Sequence, residues 1–213
     1  MRLSNIIKEV GRNYYNWLEF YRKYDDEMCK EYLVAVKWFV GPGKPEPLML
    51  FITEHKDFIE DLQNWILPNS VKCYRGFKDL TEKVTVPWRV STDHRLETRK
   101  IVNMDMGETT MFLPTQKMWA LQHWTYDLQQ AKEFGARNNN IHDGIVLKAN
   151  IKKEQILFSY ISMKPMVGKY AGVRHGEEVV PLSEYKKEKE IIVYHNKSIT
   201  AKAIWKWIAP AKQ

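Results

Sequence analysis

Cysteine is scarce in this chain. It has two, Cys29 and Cys73, far apart and without metal-ligand spacing. That excludes a disulfide scaffold and fits reduced thiols in a cytoplasmic protein. Long apolar runs are missing as well. The most apolar segment, Tyr32 to Val40, is interrupted by Lys37, whereas a helix that crosses a bilayer needs about 20 apolar residues. Met1-Arg2-Leu3-Ser4-Asn5 carries no apolar block of a secretory signal. A soluble protein with no membrane partner is therefore expected. No GxGxxG fingerprint and no P-loop occurs, so a dinucleotide bound here is held by other devices. The histidines, His55, His94, His123, His142, His175 and His195, are scattered with no two at a ligand-pair spacing, and no metal site is expected. Repeats and low-complexity tracts are also absent.

Core-forming residues are plentiful. Hydrophobic residues make up 44% of the 213 and aromatics 13%, enough for one good-sized domain or one with an extension. Lys and Arg number 33 against 26 Asp and Glu, a net charge of +7. Such a balance suits an anionic partner, namely nucleic acid, a nucleotide or an acidic protein. It is equally that of many mildly basic soluble proteins, and composition leaves both open.

The apolar pattern divides the chain near residue 70. Leu3, Ile6, Ile7, Val10, Tyr14, Trp17, Leu18 and Tyr21 recur at steps of three and four, one stripe of a helix. Asp25 and Asp26 open a second helix, which Gly41-Pro42-Gly43 ends. A third runs from Leu48 to Ile66 and closes at Pro68. His55 falls on its apolar stripe and reads as a core residue. Short strands follow: Val71–Tyr74, Val84–Val86, Met111–Leu113, Met118–Thr125, Ile145–Ala149, Ile156–Phe158, Glu190–Tyr194 and Ile199–Ile208. One helix, Asp127–Ala136, lies among them. Residues 88–110, with Arg89, His94, Arg95, Arg99 and Lys100, read as a solvated loop or a phosphate contact. Residues 162–184, containing Gly168, Gly172 and Gly176, read as a long loop. Helices first and strands after make an α+β pattern, with a helical part at 1–69 and a second part at 70–213.

Chemistry-bearing residues gather at three places. Tyr74-Arg75-Gly76 ends the first strand. His123-Trp124-Thr125-Tyr126-Asp127 ends another and runs into a helix with Ala131 and Phe134. Tyr185-x-x-Glu188-x-Glu190 leads into Ile191-Ile192-Val193. Within an extended strand Glu188 and Glu190 share one face, and neighbouring carboxylates can take different roles. The bland alternative is a solvated strand end. In this order the three motifs resemble the mono-ADP-ribosyltransferases of the Arg–Ser–Glu class, and most of all the small transferases of T4-like bacteriophages. The resemblance covers residues 70–208.

The resemblance implies a split β-sandwich core of two antiparallel sheets and an NAD-dependent transferase. It implies that ADP-ribose passes from NAD to arginine side chains of a target protein and that nicotinamide is released. It assigns Glu190 to the ribose and its developing positive charge, and Arg75 to the NAD phosphates. Gly76 offers its backbone to the nicotinamide amide. Thr125 matches the second hydroxyl of the Ser-x-Ser/Thr strand and orients Glu190. His123 stands where the family has its first serine, either facing outward or joining the cofactor-binding site. Glu188 resembles the arginine-directed acid and can take the acceptor's proton. Tyr185 matches the aromatic of the substrate-recognition loop and can pack on the acceptor guanidinium. Ser91-Thr92 looks like the hydroxyl motif but lacks the helix behind it. As a phage effector, the protein would act in the host cytoplasm; a bacterial toxin is the other setting. Two alternatives stay open: the same transfer to a base of RNA or DNA, favoured by Lys186, Lys187 and Lys189, and a non-catalytic basic nucleic-acid-binding module.

Overall fold

The structure, a computed structural model, describes residues 15–41, 43–79, 107, 109–112, 121–136, 143–180, 189–194 and 199–207. The expected strand Val84–Val86, the basic stretch from Arg89 to Lys100, Ser91-Thr92, His94, His142 and the recognition-loop residues Tyr185 to Glu188 lie outside them. The chain divides into two units, Met1–Asn69 with Phe158–Lys187, and Ser70–Leu157 with Glu188–Gln213. Residues 158–187, which the sequence pattern grouped with the second part, cluster with the first.

The first unit is mostly helical. Helix α1 is described over 15–23; α2 is Asp26–Val40, α3 Glu46–Glu54 and α4 Lys56–Asp61, which continues as a π-helical segment, Leu62–Ile66. Asp25 caps α2 by accepting from Met28 N at 2.8 Å, and Gly41 closes the helix. The single helix expected from Leu48 to Ile66 is broken at His55, whose φ and ψ are −122° and 53°. The apolar stripe continues across the break because both pieces bury the same side. Phe58 is the hub of an aromatic cluster, with ring centroids 5.0 Å from Phe20, 4.9 Å from Tyr24, and 5.2 Å from both Tyr32 and Phe51.

Of the expected loop at 162–184, the described residues, up to Val180, form a helix and a hairpin. Helix α6 spans Tyr160–Tyr170 and carries Pro165 inside it. Tyr160, Met163, Met166, Val167 and Tyr170 are buried at helical spacing, and Ser159 caps the start through Ser162 N. Burial of that stripe overrides the breaker residues that suggested a loop. Lys169 and Tyr170 tie the helix to α2, giving Asp26 Oδ1 hydrogen bonds at 2.9 and 2.6 Å. Tyr170 and then Lys169 hold the Asp26 carboxyl below the usual carboxylate range. Two short strands, Arg174–His175 and Glu178–Val179, pair antiparallel around Gly176, which has φ 58°.

The second unit is built on an antiparallel sheet. Its strands are β1 (Ser70–Asp79), β2 (Thr109–Phe112), β3 (Leu121–Thr125), β4 (Asp143–Lys152), and, after the short pair just described (β6 and β7), β8 (Glu190–Tyr194) and β9 (Ile199–Trp207). Their order is β2-β9-β4-β1-β3-β8. Strand β5 (Ile156–Ser159), whose first two residues belong to this unit, follows β8 at the edge. The chain is thus α+β, helices followed by an antiparallel sheet. Strands β1 and β4 are registered from Ser70↔Lys152 to Asp79↔Asp143. Helix α5 (Leu128–Ala136) lies against them. It comes so close because β1 and β4 present glycine there. A Cβ on Gly76 would lie 2.6 Å from Gly135 N, and one on Gly144 would lie 2.7 Å from the Gly135 carbonyl carbon.

Candidate functional site

Strands β3 and β8 pair from Leu121↔Tyr194 to Thr125↔Glu190. The register puts His123 opposite Ile192 and Thr125 opposite Glu190, so His123, Thr125 and Glu190 share one face. Tyr74 pairs with Thr125 and extends that row onto β1. Two strand spacings separate Tyr74 from Glu190, about 10 Å between backbones.

Glu190 opens β8 and is 2% exposed. A buried carboxylate needs partners. Its Oε1 contacts His123 Nδ1. An ionised carboxylate only accepts, so Nδ1 is the donor whenever Glu190 carries its charge. Glu190 Oε2 is buried and has no hydrogen-bond partner among the described residues. The imidazole is 44% exposed. His123 therefore stands between solvent and a buried acid, its ring turned toward Glu190.

The turn beside this pair is tied down several times. Thr125 Oγ1 accepts from Asp127 N at 3.0 Å and donates to Lys189 O at 3.5 Å. Tyr126 N reaches the same carbonyl at 3.3 Å. The hydroxyl expected to steer the Glu190 side chain thus anchors the backbone that carries it. Asp127 caps α5 through Gln129 N at 2.8 Å and Gln130 N at 3.3 Å, and its Oδ2 accepts from Lys189 Nζ at 2.7 Å. That ammonium, with the two backbone N–H groups, holds the Asp127 carboxyl below the usual range. Lys189 has φ 45°. Strand β8 begins only at Glu190, so the extended alternation assumed across 188–190 breaks at Lys189.

Comparison with protein-family models, curated proteins and solved structures gave no match. The site must speak through its own geometry.

Arg75 is half-buried on β1 and pairs with Leu147. Alternation along β1 sets it on the face away from Tyr74. It follows directly on Tyr74↔Thr125, the one registered β1–β3 pair among the described residues. Gly76 has a packing reason to be glycine, the close seat of α5, whatever its backbone meets besides. Ala131 is fully buried, in keeping with a packing role. Glu188 and Tyr185 lie outside the described residues. The sequence reading gave Asp127 no task and Lys189 only a share in the basic charge that favours a nucleic-acid acceptor. Asp127-Leu128-Gln129-Gln130 has the acid-x-x-amide spacing of a helix start, which was a usable signal. The left-handed Lys189 left none. Among the described residues no three His, Cys, Asp or Glu side chains are grouped to hold a metal ion, and no helix is long and apolar enough to cross a membrane. Both cysteines are buried as free thiols, and burial pushes Cys29 up to about 12 and Cys73 higher still, so neither is a nucleophile near neutral pH.

Proposed function

We propose that the chain is an NAD-dependent mono-ADP-ribosyltransferase, with a split β-sandwich core, that modifies arginine side chains of a target protein. The observation that carries this reading is Glu190. It is a buried carboxylate with one oxygen held by His123 and the other without a hydrogen-bond partner among the described residues. A buried, unpaired carboxylate oxygen suits a hydroxyl donor, and the NAD ribose supplies one at its 2′ position. The same negative charge favours the oxocarbenium character that develops as the nicotinamide bond breaks.

In this reading Glu190 accepts from the 2′-hydroxyl and stabilises positive charge at C1′. His123 holds Oε1 so that Oε2 faces the sugar. Gly76 offers its backbone to the carboxamide, and Arg75, which lies on the other face of β1 from Glu190, is left out of the contacts with the same ribose. The C1′–N bond to nicotinamide breaks and the bonding pair leaves with the ring. A guanidinium nitrogen of the acceptor bonds to C1′, and Glu188 takes the proton that nitrogen loses. Tyr185 packs on the acceptor. Asp127, Lys189 and Thr125 keep the Glu190 backbone fixed.

The experiment is transfer of label from adenylate-labelled NAD into a bacterial extract, with nicotinamide release measured in parallel. The expected outcome is protease-sensitive label, and loss of both signals in Glu190→Gln by a factor of at least about 10². Glu188→Gln loses transfer but keeps NAD hydrolysis. Label removed only by nuclease would move the acceptor to nucleic acid. Neither label nor nicotinamide release, with intact NAD and folded protein, would reject the transferase reading.

A further inference from the structure

The face of the sheet that carries Tyr74 also carries four lysines. Lys148 and Lys202 are direct cross-strand partners on β4 and β9. Lys72 lies on β1 opposite Asn150, and Lys152 lies two residues beyond Asn150 on β4. Lys72, Lys152 and Lys202 are exposed and Lys148 is half-exposed. Like charges directly opposite on adjacent strands destabilise a sheet. Among the described residues none of the four has an ion-pair partner. Among the described residues, the groove along β4 and β9 is lined by Lys148, Lys152 and Lys202 with Asn150, Gln155 and Thr200 and by no acid. Glu154 is nearby in sequence, on the 3₁₀ turn Lys153–Gln155, but does not line the groove.

We propose that this face binds single-stranded nucleic acid through its phosphate backbone. Repulsion between Lys148 and Lys202 is relieved when a polyanion lies between them. The lysines are laid out along a path, not around a point. Lys148 and Lys152 are about 13 Å apart along β4, a span that suits successive phosphates of an extended strand better than one small anion. Tyr74 sits beside Lys72, whose Nζ is 5.8 Å from the ring centroid. An aromatic next to a basic track is the arrangement on which unpaired bases stack. Asn150, Gln155 and Thr200 add hydrogen-bonding groups to phosphate or sugar. This surface is read from charge and register alone and does not depend on whether the chain transfers ADP-ribose.

The test is fluorescence anisotropy of a labelled 20-nucleotide oligo-U with the full chain across a salt series. The expected slope of log K against log salt is about −3 for four phosphate contacts. Lys148→Gln with Lys202→Gln should weaken binding at least tenfold and flatten the slope by about 1.4. Thermal unfolding of the double variant should be no lower than that of the unaltered chain, because a like-charge pair has been removed. Tyr74→Leu should weaken binding with no change in slope, as expected for stacking. Lys164→Gln, on an exposed position of α6, should change nothing. No binding at low salt, an unchanged slope in the double variant, or displacement by poly-glutamate more readily than by unlabelled oligo-U would each overturn the proposal.

Discussion

Among the described residues, Lys189 is the one non-glycine with a positive φ. A side chain with a Cβ at φ 45° costs on the order of 1 kcal/mol relative to ordinary backbone. Three bonds offset that cost: the ion pair with Asp127, and the hydrogen bonds that Tyr126 N and Thr125 Oγ1 give to its carbonyl. Lys189→Ala keeps the awkward backbone and loses the ion pair, so it should lower stability by about 1 kcal/mol. Lys189→Gly also loses the pair but adopts the conformation freely, and should be the milder change. Urea unfolding of both variants checks this; a glycine variant less stable than the alanine variant would contradict the account. Asp127 adds a pH signature. Its folded pKa is depressed, so its charge stabilises the fold fully above the unfolded value of about 3.9. That contribution is lost as pH falls through the lowered folded value. The stability gap between the unaltered chain and Asp127→Asn, which still caps α5, should be constant from about pH 7 to 5 and close only in stronger acid. A gap that closes already near pH 6 would point to another group.

At the scale of elements, the seat of α5 decides where the candidate site sits. The helix follows β3 directly and rests on glycines of β1 and β4. Gly76→Ala pushes a methyl into Ala131 O and Gly135 N, both backbone atoms that no rotamer change can move. A loss of about 1–3 kcal/mol is expected, with displacement of α5 and of the Thr125–Asp127 turn that leads into it. If Gly76→Ala unfolded at the same urea concentration as the unaltered chain, the close seat would be disproved. Helix α6 teaches the converse. Gly168, Gly172 and Gly176 argued for a loop, yet five buried side chains at helical spacing carried the segment into a helix, with Pro165 inside it. The stripe was present in the sequence; its weight against the breakers became visible only with the burial.

Across the whole molecule, each unit has its own core. In the helical unit Phe58 is 1% exposed and touches four other rings. Phe58→Ala should therefore cost about 3–5 kcal/mol, measurable as a shift of the circular-dichroism unfolding curve; a loss below about 1 kcal/mol would mean the cluster is loosely packed. The amino-acid sequence by itself determined the α+β order, the capped start of α2, most of the described strands and the three places where chemistry-bearing residues gather. These are local properties, set by apolar period, capping residues and turn chemistry within a few residues of chain. Only the tertiary structure decided that His123 meets Glu190, that Gly76 seats a helix, that Phe158–Lys187 belongs with the N-terminal helices, and that Lys148 faces Lys202. Each of these depends on strand register or on contacts between distant segments, and a one-residue change of register would turn every such side chain to the other face.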